Sequence, residues 1–287
     1  MAEVTLSSGI RDALMTIQKT TQQAQEAQTR LATGKKVNTA IDNPLNYFTA
    51  AGLNDRANDL ALLQDAMSNA TKTIDAASSG IDGMTKLFQT AQGLASAAAA
   101  TTDVTTRTNL RTQYNTLLAQ ADELMKNAGF NGINLLNGDK LTVKFDSSST
   151  TATLGVLTNT ASSGTGALTA TNIGLATIAA GAWTNGAGTD TTGDANIQTA
   201  LTALAKAIST LRAEASGLGA NNAIVKTRQE FTAAIINHLK TGADNLTLAD
   251  VNEEGAKLIS LNTRGQLAQT SLSLASQREQ QVLRLFS

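Results

Sequence analysis

Apolar side chains recur at alternating steps of three and four residues along much of this chain, and a single proline interrupts it. That spacing puts one stripe of side chains on one face of a helix. Sustained over several heptads, it is a coiled-coil seam. The first segment reads Leu6, Ile10, Ala13, Ile17, Thr20, Ala24, Ala27, Leu31. The second runs from Leu60 through Met67, Ile74, Ile81 and Phe88 to Ala95. A third reads Leu110, Tyr114, Leu117, Ala121, Leu124, Ala128, and a fourth Leu201, Leu204, Ile208, Leu211, Ala215, Leu218. At the far end Leu258, Leu261, Gly265, Ala268, Leu272, Ala275, Glu279, Val282 and Phe286 keep the step with one charged member, while Leu267, Leu274 and Leu285 widen the stripe. The expected fold is mainly α. It is an antiparallel rod of long helices with both ends helical and paired, plus a small β-containing central insertion.

The insertion is expected because the pattern changes after Gly138. From Asp146 to Asn196 there is no lysine or arginine, and serine, threonine, glycine and alanine dominate. "LTVKF" alternates apolar and polar as a half-buried strand does, and "TATLGVLT" and "LTATNIGLATI" are further strand candidates. "NGAGTDTTGD" carries turn chemistry. The domains expected are terminal helices at 1–33 and 250–287, a connector at 34–44, a helical rod at 45–138 and 195–240, a surface-exposed Ser/Thr/Gly-rich insertion at 139–194, and a return connector at 241–249.

The connector explains the lone proline. Gly34 stands where a helix C-cap glycine belongs, with Lys35 and Lys36 near the negative end of the dipole. "VNTAIDN" has no helical period. Asn43 suits an N-cap and Pro44 the first helical position, where its missing N–H costs nothing.

Composition narrows the function. Twenty-two Lys+Arg against 23 Asp+Glu leave a net charge of −1, so nothing argues for nucleic acid or anionic lipid as partner. Cysteine is absent, which excludes disulfides and thiolate metal sites. The N-terminus lacks a basic region followed by an apolar run, so no secretory signal is expected, and no apolar stretch spans a membrane. No GxGxxG, P-loop or metal-spaced cluster appears, so no cofactor and no catalysis are expected. His238, the one histidine, follows Phe231 and Ile235 on a helical seam and reads as a structural or surface residue. Trp183 reads as the anchor of a small core within the insertion.

"RLATGKKVNTAIDNPLNYFTAAGL" (Arg30–Leu53), "AGFNGINLLNG" (Ala128–Gly138) and the C-terminal "SLSLASQREQQVLRLF" together resemble bacterial flagellin. The Asp42-Asn43-Pro44 form of the connector resembles flagellins of alphaproteobacterial type, and the short centre implies that large outer domains are missing. The resemblance implies a structural subunit that polymerises with itself into the extracellular flagellar filament for motility. Filament-core packing then falls to Leu6, Ile10, Ile17, Leu31, Leu261, Leu267, Leu272, Leu274, Val282, Leu285 and Phe286, and a shape-sensitive connector to Gly34, Asn38, Asp42, Asn43 and Pro44.

The amphipathic ends are marginal as lone helices, so they are expected to be disordered in the free monomer and to fold on assembly. The resemblance also implies unfolded export through the flagellar type III apparatus, a chaperone on the C-terminal region, and filament-cap and hook-junction proteins as partners. O-glycosylation is expected on Ser147, Ser148, Ser149, Thr150, Thr151, Ser162, Ser163 and Thr165. Thr90 and Gly93 stand where receptor-active flagellins resemble one another in carrying arginine and glutamate, so weak or absent activation of the animal flagellin receptor is expected. The rival readings are a hook–filament junction protein and, from another class, an intracellular coiled-coil adaptor.

Overall fold

The computed structural model describes residues 8–145, 152–154, 167–186 and 191–285. Five helices carry most of it: α1 (Ser8–Thr33), α2 (Pro44–Ala99), α3 (Val104–Asn127), α4 (Thr192–Thr247) and α5 (Val251–Leu285). A 3-10 turn (Leu135–Asn137) and two short strands, β1 (Leu141–Val143) and β2 (Ala152–Leu154), lie between α3 and α4. The chain divides into two compact units, Met1–Ala57 with Ile236–Ser287, and Asn58–Ile235.

In the unit Asn58–Ile235 the heptad reading holds residue by residue for α2. Met67, Ala70, Ile74, Ala77, Ile81, Met84, Phe88, Ala91, Ala95 and Ala98 are all buried. Threonines on these helices mostly donate their hydroxyls to the carbonyl four residues earlier, as Thr73 does to Asn69 (3.0 Å) and Thr85 to Ile81 (2.8 Å). On α3 the buried face is wider than the sequence seam. Tyr114 and Ala121 are buried as read, but Leu118 and Met125 join them, and Leu110, Leu117, Leu124 and Ala128 are half-buried. At about 100° per residue, Leu124 points one way, and a Cβ on Gly83 of α2 would lie 2.5 Å from its Cδ2. Arg111, Asn115 and Asp122 point the other way, toward residues 167–186. Covered from two sides, α3 buries more than one stripe.

Of the strand candidates between α3 and α4, "LTVKF" supplies β1 and "TATLGVLT" supplies β2, while the third departs from the sequence reading. β1 and β2 pair antiparallel with Leu141 opposite Leu154, Thr142 opposite Thr153 and Val143 opposite Ala152. "LTATNIGLATI" forms no strand. It is packed into the helical core, with Leu168, Ala170, Ile173 and Leu175 buried, as is Trp183 just after it. Backbone polar groups must be satisfied wherever they are buried, and here α3 side chains do it in place of a ladder. Asn115 accepts from the Ile178 N–H (2.9 Å) and donates to the Ile178 carbonyl (2.8 Å). Arg111 donates to the same carbonyl (2.9 Å), and Asp122 accepts from the Ala170 N–H (2.6 Å).

Trp183 packs against Tyr114 with ring centroids 5.1 Å apart and planes tilted at 57°, and it is fully buried, so it anchors the main core of this unit and not a separate small one. Beside it lies a buried cation that the sequence did not suggest. The Arg107 guanidinium is 2% exposed, and it donates to the Thr101 carbonyl (2.6 Å), the Trp183 carbonyl (3.2 Å) and the Asp194 carboxylate (2.5 Å).

The "FNG" turn is a two-residue connection. Phe130 and Ile133 exchange backbone hydrogen bonds (2.9 and 3.0 Å), and Asn131 and Gly132 both have positive φ, 49° and 80°. Gly132 supplies that conformation at no steric cost. Asn134 then ties the turn down, donating to the last carbonyls of α3 at Met125 and Lys126 (both 2.9 Å) and accepting from the N–H groups of Leu136 and Asn137. On α4, His238 is exposed as a surface residue would be, but so is Phe231, so the seam placed through them is not the buried face. That face runs through Val225, Thr232, Ile236 and Ala243.

Candidate assembly site

In the unit formed by the chain ends, α1 and α5 run antiparallel. Arg30 on α1 donates to Glu254 on α5 (3.1 Å), and ten residues back along α1 the Thr20 methyl faces Gly265, 3.9 Å from where a Cβ would stand. The Thr20 hydroxyl donates to its own helix at the Thr16 carbonyl (2.8 Å), which leaves the methyl to pack. Small side chains alternate with leucines and isoleucines along this seam. Ile10, Thr20 and Ala27 of α1 are buried and Ala13, Ile17, Ala24 and Leu31 half-buried; on α5, Leu261 is buried and Leu258, Gly265, Ala268, Leu272 and Ala275 half-buried.

One seam position was missed. Glu254, one step before Leu258, is buried and faces Arg30, with the Lys257 ammonium 3.8 Å from its other oxygen. Extending the three-four count one step toward the N-terminus of α5 would have found it. The charged member expected, Glu279, has a side chain outside the described residues.

Among the described residues nothing covers the opposite face of α5. Ile259, Leu267 and Leu274 are 69, 63 and 55% exposed, and at about 100° per residue all three lie on the side away from α1. Leu14 and Met15 of α1 are exposed as well. Leu6 and Phe286 lie outside the described residues, as do the side chains of Val282 and Leu285 at the end of α5. Ser147, Ser148, Ser149, Thr150, Thr151, Ser162, Ser163 and Thr165 lie outside them too.

The connector leaves α1 at Gly34, whose φ of 69° closes the helix. Lys35 forms a single antiparallel bridge with Leu248 on the returning chain. The Lys36 and Val37 N–H groups donate to the Thr247 carbonyl (2.7 and 3.3 Å), and the Ala249 N–H donates back to the Gly34 carbonyl (2.9 Å). Asp42 closes the turn, one carboxylate oxygen accepting from the Asn38 and Thr39 N–H groups (both 2.9 Å) and the Thr39 hydroxyl (3.2 Å). Those bonds, the Thr39 amide first, hold the Asp42 carboxyl below its ordinary value. Asn38 donates to the Lys35 carbonyl (3.2 Å), and Asn43 accepts from the Asn46 N–H (3.0 Å) at the start of α2, whose first residue is Pro44.

The return break is shorter than the sequence suggested. α4 runs on through Thr247 and α5 starts at Val251, capped by Asp250, which accepts from the Asn252 N–H (2.8 Å). The polar run Thr241–Thr247 stays helical because Ala243 alone faces inward and is buried, while Gly242 lies against Leu53 of α2.

A family model of the bacterial flagellin N-terminal helical region matches residues 10–141, and one of the bacterial flagellin C-terminal helical region matches residues 201–286. The chain belongs to the bacterial flagellin family. Flagellin FljM of Caulobacter vibrioides is 31% identical over 99% of this chain and 98% of its own length. A flagellin of Brucella melitensis is 26% identical over 100% of this chain and 99% of its own. Flagellin C of Rhizobium meliloti is 26% identical over the same shares. The two family matches cover the α1–α5 pair and both connectors, so the geometry above belongs to a flagellin of alphaproteobacterial type, a structural subunit of the extracellular flagellar filament. Among the described residues no helix is long and apolar enough to cross a membrane.

Proposed function

We propose that this flagellin polymerises by completing its terminal-helix unit with neighbouring copies. The observation that carries the reading is the uncovered aliphatic face of α5, Ile259, Leu267 and Leu274, opposite the seam that packs on α1. About half of the seam positions are alanine, threonine or glycine, which limits what the pair gains from its own burial, and lone helices of this kind are marginal. Ordering of α1 and α5 is therefore coupled to assembly, with intersubunit burial offsetting the entropy. Ile10, Ile17, Leu31, Leu261 and Leu272 form the intrachain half of the filament core. Leu267 and Leu274 form the intersubunit half, and Leu6, Val282, Leu285 and Phe286 extend it at the chain ends. Purified monomer given short filament seeds and a kosmotropic salt is expected to grow long filaments by electron microscopy with a gain of helix by circular dichroism. Soluble particles with unchanged helix, even with seeds, would instead support the junction-protein or adaptor reading.

The connector is proposed as the shape-determining joint. Gly34→Ala forces a left-handed backbone on a residue with a Cβ, costing roughly 1–2 kcal/mol, and Asp42→Ala removes the acceptor of three hydrogen bonds. Both variants are expected to form filaments of normal length and altered waveform in dark-field microscopy. Unchanged waveform would remove the connector from that role.

Export in an unfolded state through the type III apparatus, a chaperone on the C-terminal region, and cap and hook-junction partners are part of the same proposal, supported by the family membership and the absence of cysteine. So is O-glycosylation of the two Ser/Thr clusters, which intact mass of native filaments tests. Thr90 and Gly93 lie exposed on α2. With neither charge present, activation of the flagellin receptor is expected to be weak, and a full cellular response at low dose would refute this.

A further inference from the structure

The chain carries three Asn-Gly pairs, Asn131-Gly132, Asn137-Gly138 and Asn185-Gly186. Asparagine before glycine is chemically the least durable peptide link of its kind, because no side chain shields the following amide from the asparagine carboxamide. The three sit in different surroundings. Asn185 is clamped at both ends by Asp194, donating to its carboxylate (3.2 Å) and accepting from its N–H (3.2 Å). Asn137 ends the 3-10 turn, and the Gly138 N–H donates to the Leu135 carbonyl (3.4 Å). Asn131 is exposed at the tip of the two-residue turn. The turn's own hydrogen bonds use the Phe130 and Ile133 amides, and neither the Asn131 carboxamide nor the Gly132 N–H has a partner among the described residues.

We infer that Asn131 is a site of spontaneous deamidation in the assembled filament. This goes beyond the assembly reading and does not depend on it. The Gly132 backbone nitrogen, losing its proton to hydroxide, attacks the Asn131 side-chain carbonyl carbon. The new C–N bond closes a five-membered succinimide and ammonia leaves. Water then opens the ring at either carbonyl, giving aspartate or isoaspartate, with no oxidant or reductant needed. Each event adds one negative charge to a subunit of net charge −1. Isoaspartate also routes the backbone through an extra methylene. In a connection of two residues that breaks the Phe130–Ile133 register and pulls on Asn134, which caps α3. An extracellular subunit has no turnover once assembled, so the modification accumulates with filament age.

A hydrogen bond worth about 1 kcal/mol that must open before attack slows the step roughly fivefold. Asn131 is therefore expected to react at least about fivefold faster than Asn137, with Asn185 slowest because its carboxamide is held twice. Filaments aged at mildly alkaline pH, digested with trypsin and resolved by liquid chromatography and mass spectrometry, report this directly. The peptide Asn127–Lys140 contains both Asn131 and Asn137, and fragmentation assigns the gain of one mass unit between them. An Asn131→Asp variant supplies the retention standard for the aspartate form. The same incubation in denaturant should bring the three sites to similar rates, which ties the ranking to the fold. Equal or faster reaction at Asn137 or Asn185 in folded filaments would overturn the assignment.

Discussion

Leu267→Asp combined with Leu274→Asp should leave a soluble helical monomer that forms no filaments. Neither leucine touches the α1 seam, and both are more than half exposed in the single chain. Fully burying a leucine is worth about 1.5–3 kcal/mol relative to leaving it exposed. The pair therefore has roughly 2–4 kcal/mol still to gain when a neighbour covers it. A factor of ten in an equilibrium constant is about 1.4 kcal/mol, so losing that contact raises the critical concentration roughly thirty- to seven-hundredfold. Two carboxylates buried without partners add to the penalty. Sedimentation after seeding measures the effect, and circular dichroism of the monomer checks that folding is unharmed. Normal polymerisation would show that this face looks onto solvent in the filament, and the assembly reading would lose its main support.

A larger effect on folding is expected in the unit Asn58–Ile235, and its direction is not the intuitive one. In the Arg107–Asp194 pair the arginine is buried and the aspartate is about half exposed, 2 against 47%. Removing Arg107 leaves a carboxylate that water can solvate. Removing Asp194 leaves a buried cation with only carbonyls for company, which is the costly way to break such a pair. Asp194→Ala is therefore expected to lower Tm more than Arg107→Met. Trp183, the only tryptophan, reports the melt by fluorescence because its indole is fully buried, and its carbonyl is one of the Arg107 acceptors.

The pH dependence follows from the same geometry. The hydrogen bond from Arg107, then that from Asn185, lowers the Asp194 carboxyl below its ordinary 3.8. A depressed carboxylate contributes stability that is present above the unfolded value and is lost as pH falls through the folded one. The Trp183 signal should hold near neutrality and shift only in acid below the usual aspartate range, and Asp194→Ala should remove that dependence. The reverse order of the two variants in Tm would place the charge balance elsewhere.

Much of this fold was legible because its dominant signal is periodic. The stripe of α2 and the α1–α5 seam could be counted from the sequence, since a side chain's place on a helix follows from its number alone. Gly34, Asn43 and Pro44 were legible because end signals are local chemistry. Residues 167–186 were misread because strand-like alternation is weak evidence when the partner is not a strand. Asn115, Arg111 and Asp122 satisfy that backbone from α3, more than forty residues away, and no local pattern announces it. Arg107 was silent for the same reason: an arginine near a helix start looks like surface until a carbonyl and a carboxylate from distant segments converge on it. The uncovered face of α5 was half legible. Leu267 and Leu274 stood out as excess apolar residues, but Ile259 did not.

Glu254 gives the terminal pair a phase. Its seam mixes small side chains with leucines and isoleucines, all of them uncharged, and among the described residues Glu254 is the one buried charge on it. A slide by one heptad would cost that carboxylate its partner on α1, because one heptad back from Arg30 the position is Gln23, which offers no cation. It works as an indexing pin in a smooth track. One alignment of the two ends keeps the ion pair, so an axial error in any copy carries a cost of its own.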